Sequence, residues 1–255
     1  MRRGKVGVPV FRFVLSPGPN IRTGAAPGPA GIAFHQLFHC VAFHRGYGVS
    51  NMAARHFPPF TSDEALARLK DGNERFISGR ARFPTMQKEI LAELAKEQHP
   101  HTTILGCSDS RVPPELVFDA SFGELFVIRV AGNVLGAAIL GTLQYAGQHL
   151  HTPLFVVMGH EGCGAVDAAL ASKFHSAKES SRIEVLLEDI VPALRNLDGS
   201  KSHEALLHEA VEANVRYTMR SLLDTPEVQA RLVEGQMKLV GAVYEIESGR
   251  VRFLE

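Results

Sequence analysis

Three cysteines in 255 residues are too few for a disulfide framework and fit a reducing compartment, which points to the cytoplasm. The chain also lacks any run of 18 uncharged apolar residues, so it has no membrane-spanning helix and reads as soluble and globular. Acidic side chains are missing from residues 1–62, which hold seven of the 27 Lys and Arg residues. The remainder then carries 20 basic against 27 acidic groups. That negative balance argues against nucleic-acid binding by the folded part. Residues 1–60 lack any sustained period as well, and Pro and Gly punctuate Leu15–Pro19 and Gly24–Ala30. We expect a disordered leader there and a single domain over residues 61–255, enough to bury one core.

Two origins for that leader fit its composition. An acid-free, Arg-containing segment suits an organelle transit peptide, although this one is poor in Ser and has no convincing amphipathic helix. Alternatively, translation starts at Met52, just ahead of the first well-formed helix. His35, His39, Cys40 and His44 have spacings that suit metal on a helix. No carboxylate lies nearby to orient their imidazoles, which speaks against a second metal site.

From Thr61 the pattern becomes regular. Thr61-Ser-Asp-Glu64 is a capping box ahead of Leu66, Leu69 and Phe76 at helical spacing, with Gly79 as the stop. A second amphipathic helix is expected from Met86 to Gln98. Thr102–Gly106, Leu125–Val130 and Leu154–Met158 are short, continuously apolar runs, as strands covered on both faces of a parallel sheet should be. Gly136–Leu150 reads as a helix rich in small residues. Helices are also expected over Arg182–Leu197 and His203–Leu223, with a polar loop at Ser172–Ser181. Met237–Ile246 and Arg250–Leu254, joined by Glu247-Ser-Gly249, read as a hairpin. The fold class is therefore α/β: a central, mostly parallel sheet flanked by helices, with an N-terminal helical arm and a C-terminal edge hairpin.

Two clusters sit where strand character breaks into a turn: Cys107-Ser-Asp-Ser-Arg111, and His160-Glu-Gly-Cys163. Open α/β sheets place their sites at such strand ends. Two thiolates and one imidazole suit tetrahedral zinc with a fourth position open for water or substrate. His160 and Cys163 are three apart, so a tight turn entering a helix can aim both at one point, with Gly162 and Gly164 allowing close approach. Asp109 follows Cys107 closely enough to reach the same ion, and Arg111 is placed to hold that carboxylate. Structural zinc needs neither. A bound metal would lower the pKa of water to about 7, and a neighbouring carboxylate would orient the resulting nucleophile. A thiol-phosphatase loop requires Arg six residues after its Cys, where this chain has Pro113. Redox use is disfavoured because Cys107 and Cys163 are not a C-x-x-C unit, and inert buried cysteines would not explain Asp109 and Arg111.

With C-x-D-x-R and H-x-x-C both intact, the sequence resembles the β-class carbonic anhydrases, closely from Glu64 to about Ala171 and in outline beyond. The resemblance implies that Cys107, His160 and Cys163 bind Zn2+ and that Asp109 and Arg111 form a catalytic dyad. It also implies that Asp109 can become a fourth ligand in a closed, inactive state. Gln98, Phe126 and Tyr145 match the family's substrate-pocket positions, which a neighbouring subunit supplies, so a homodimer or homotetramer is implied. By the same resemblance the N-terminal helices would wrap over that subunit. Read on their own residues, Gln98 would be solvated, and Phe126 and Tyr145 ordinary core. Ala131 stands where some relatives carry a larger aliphatic residue. Ile104 stands where members with a bicarbonate-regulated site have Trp, which argues against such regulation here. The implied reaction is reversible hydration of carbon dioxide to bicarbonate and a proton. Hydrolysis of CS2 or COS on the same scaffold, and a non-catalytic zinc-stabilised scaffold, are the rival readings. His175, His203 and His208 read as solvated rather than as proton shuttles.

Overall fold

The computed structural model describes residues 60–82, 91–92 and 94–254. The leader, with its His35–His44 cluster, lies outside them. So do residues 86–90 and 93 of the expected Met86–Gln98 helix. Leu91, Ala92 and Leu94 are helical, but the chain leaves the helix before Glu97, which puts Gln98 in irregular backbone.

A five-stranded sheet has the order β2-β1-β3-β4-β5, with β1 at Thr102–Gly106, β2 at Leu125–Arg129, β3 at Leu154–His160, β4 at Lys238–Tyr244 and β5 at Val251–Leu254. The first four strands run parallel and β5 pairs antiparallel with β4. Every residue of β1 and β3 is buried, as central strands sandwiched between helical layers must be. Strand β3 runs to His160, two residues past the apolar run that announced it, because its pairing with β4 continues to Tyr244.

Helix α1 (Ser62–Ile77) opens on the expected capping box: Thr61 Oγ1 accepts from Glu64 N at 3.2 Å, and Glu64 Oε2 accepts from Thr61 N at 2.8 Å. It buries Ala65 and Leu69 in the core of its own chain. Asn73 fastens it there, donating to Val117 O and Gly249 O and accepting from Val251 N, all at 2.8–3.1 Å.

The remaining helices are α2 (Pro114–Val117), α3 (Ala137–Gln148), α4 (Gly164–His175), α5 (Ser181–Ile190), α6 (His203–Leu223) and α7 (Pro226–Val233). Two boundaries and two short helices differ from expectation for local reasons. α4 continues three residues past Ser172 and stops where Ser176 adopts φ 53°. The Arg182–Leu197 helix splits at Ile190 into a 3-10 turn, Val191–Leu194, because Pro192 has no N–H to continue the ladder. α2 and α7, each begun by a proline that suits a first helical turn, were not expected. Among the described residues, no helix is long and apolar enough to cross a membrane.

Candidate metal centre

β1 and β3 are neighbours in parallel register, with Gly106 opposite Met158, so both chains leave the sheet at the same edge. Cys107 is the first residue beyond β1, and His160 is the last residue of β3. Gly162 then takes φ 61°, a left-handed backbone that favours glycine, and turns the chain so that Cys163 caps the N-terminus of α4. Contrary to the expectation from the sequence, neither Gly162 nor Gly164 is needed for a close approach, since a Cβ at either would meet nothing within 4 Å.

The three side chains converge. Cys107 Sγ, Cys163 Sγ and a ring nitrogen of His160 lie within 4.8 Å of one another, and all three residues are buried. The two sulfurs are 3.9 Å apart, both free thiols, far beyond the disulfide length of about 2.05 Å. His160 Nδ1 is 2.9 Å from Glu161 O. A carbonyl only accepts, so Nδ1 carries the proton and Nε2 presents its lone pair. That buried Nε2 has no protein hydrogen-bond partner. An orphaned nitrogen acceptor beside two sulfurs is the donor set of a tetrahedral zinc site, so the residues fit the metal.

Electrostatics favour a thiolate here. The Cys107 thiol is held below its usual range, chiefly by a hydrogen bond with Cys163 and also by backbone N–H groups of Asp109 and Gly132, against the effect of burial. Cys163 is pushed up, first by that same neighbour and then by burial.

Asp109 sits at the rim with both oxygens engaged. Oδ1 accepts from Arg111 N and Nε at 2.9 Å, and Oδ2 accepts from Arg111 Nη2 at 2.7 Å. Arg111 holds the carboxyl well below the usual carboxylate range. Oδ2 is also 3.8 Å from His160 Nε2. Arg111 Nη2 reaches on to Gly162 O at 3.2 Å, tying the acid to the other ligand turn.

The pocket positions fare unevenly. Phe126 and Tyr145 come together with ring centroids 6.2 Å apart, and Tyr145 is 46% exposed rather than core. Gln98 is exposed, as its solvated reading had it. Ala131 is half-buried at the start of a 3-10 turn, Ala131–Asn133, and Ile104 is fully buried within β1. His175, His203 and His208 are exposed, with His203 Nε2 3.3 Å from Asp167 Oδ1. Arg129 went unnoticed in the sequence. It is the last residue of β2 and donates to the backbone carbonyls of Cys107 and Asp109.

The sequence profile described as carbonic anhydrase matches residues 102–251, a span that holds both clusters. Among solved structures, the β-carbonic anhydrase CcaA superposes with a TM-score of 0.62 at 30% identity, covering 74% of this chain and 87% of that one. The chain belongs to the β-class carbonic anhydrases. Within that family it is 37% identical over 187 residues to carbonic anhydrase 2 of Mycobacterium tuberculosis, covering 73% of this chain and 89% of the relative. Against the carbonic anhydrase of Synechococcus elongatus it is 33% identical over 196 residues, covering 73% and 70%. The β-carbonic anhydrase CafA of Aspergillus fumigatus gives a TM-score of 0.59 at 28% identity, covering 76% of this chain and 90% of that one.

Proposed function

We propose that this chain carries out its family's reaction, the zinc-dependent, reversible hydration of carbon dioxide to bicarbonate and a proton, with Cys107, His160 and Cys163 as the zinc ligands. The observation that carries this is the orphaned Nε2 of His160 converging with two sulfurs beside an acid already tethered by Arg111. Zinc, when bound, supplies an open position at which water becomes a nucleophile near neutral pH.

The chain's own groups do the rest. Glu161 O, by accepting from Nδ1, keeps the His160 lone pair aimed inward. Asp109, held ionised by Arg111, accepts the hydrogen bond of the attacking water, so that an oxygen lone pair faces the carbon of CO2. Arg111 occupies both carboxylate oxygens, which opposes movement of Asp109 into the ligand set, the closed state. A partner subunit brings Gln98 to the nascent bicarbonate and Phe126 and Tyr145 to the apolar side of the pocket. Exposure of Tyr145 in a single chain supports that assignment. The assembly is a homodimer or a homotetramer, the latter pairing dimers through the edge strand β5.

We assign catalysis to residues 61–255 alone. Stopped-flow CO2 hydration with a pH indicator at pH 8.5 tests the reading on the zinc-loaded full chain and on a chain starting at Met52. Both should accelerate hydration, and Cys107→Ser should lose zinc and activity together. Full chains no faster than buffer would refute the function. Activity only in the full chain would refute the domain assignment.

A further inference from the structure

The stretch from Cys107 to Arg111 has left the sheet, yet it must hold a ligand and an acid in fixed relation. The backbone ladder between β1 and β2 ends with Val130 N donating to Gly106 O at 3.0 Å. Beyond that point the side chain of Arg129, whose Cα is paired with Gly106, takes over. Its Nε donates to Cys107 O at 2.8 Å and its Nη2 donates to Asp109 O. Val112 N gives Asp109 O a second bond at 3.2 Å. Cys107 and Asp109 lie two residues apart, just beyond the end of β1. One planar fork on two alternate carbonyls therefore fixes the direction of both side chains at once, which a single ammonium cannot do.

We infer that Arg129 is a positioning residue for catalysis: its guanidinium clamps the Cys107 and Asp109 carbonyls so that the metal-binding sulfur and the Asp109 carboxylate keep their separation. This rests on the proposed zinc-dependent hydration. It is distinct from the Asp109–Arg111 pair, because Arg129 donates to the backbone carbonyls of Cys107 and Asp109 and reaches the chemistry through them.

Arg129→Lys and Arg129→Gln test the inference, measured beside wild type for zinc affinity by chelator competition, for kcat and KM at saturating zinc, and for melting of the metal-free protein. Partners that orient metal ligands typically change affinity or activity by about 10- to 100-fold. Both variants should lose zinc affinity and zinc-saturated kcat by roughly that factor, with KM little changed and the metal-free melting temperature of the Lys variant close to wild type. Unchanged kcat at saturating zinc overturns the inference, as does full rescue by Lys. A wild-type protein that neither binds zinc nor hydrates CO2 would instead overturn the function on which it rests.

Discussion

Asp109 and Cys107 occupy one short loop and answer to different tests. Cys107 contributes a sulfur to the converging group, whereas Asp109 spends both oxygens on Arg111. Asp109→Asn should therefore retain zinc in metal analysis while turnover falls by about 100-fold or more, the range for a lost proton acceptor. Unaltered turnover would remove Asp109 from the mechanism. These residues were legible in the sequence because two Cys and a His at strand ends, with an Asp and an Arg beside them, suit metal chemistry and little else. Arg129 was not, because its partners are backbone carbonyls, and carbonyls leave no mark on a sequence. Phe126 and Tyr145 were legible only through family resemblance. Taken alone, an aromatic in a strand or on an apolar helix reads as core, and the exposure of Tyr145 depends on tertiary placement.

Among the elements, two glycines separate steric from conformational cost. In α1, a Cβ on Gly72 would lie 1.8 Å from Phe118 O, a backbone atom that cannot swing aside. Gly72→Ala should cost about 3 kcal/mol in urea unfolding, the upper range of overpacking, and a loss under 1 kcal/mol would contradict the close docking of α1 on the segment after α2. Gly162 has open space around its missing Cβ but φ 61°. Gly162→Ala should therefore cost only about 1–2 kcal/mol, that of a left-handed residue. Strands β1 to β3 could be read from their apolar runs, but only β1 and β3 are buried along their whole length, whereas β2 is a mostly half-buried edge strand and not the doubly covered one expected. The end of α4 and the split after α5 could not. Lys173, Phe174 and His175 look like loop residues, yet Phe174 packs against the core. The break after Ile190 depends on a proline that a first helical turn would have tolerated.

At the scale of the whole molecule, the account requires more than one copy. The exposed Tyr145, beside the half-buried Phe126, should be covered by a partner, so Tyr145→Glu should shift the protein toward monomer in light scattering and lower CO2 hydration, while zinc content stays the same. Retention of the wild-type mass and rate would remove this face from both interface and pocket. The order of elements and the parallel sheet were legible from the sequence, since each follows from local pattern. Assembly was not, because nothing in a single chain's periodicity distinguishes an apolar face turned inward from one turned toward a copy. The proposed chemistry depends on one metal held by three named side chains, and X-ray absorption at the zinc edge of the purified, full-length protein addresses that directly. The account predicts one zinc per chain with two sulfur neighbours near 2.3 Å and light-atom neighbours near 2.0 Å, the usual zinc distances. A zinc shell without sulfur would contradict it.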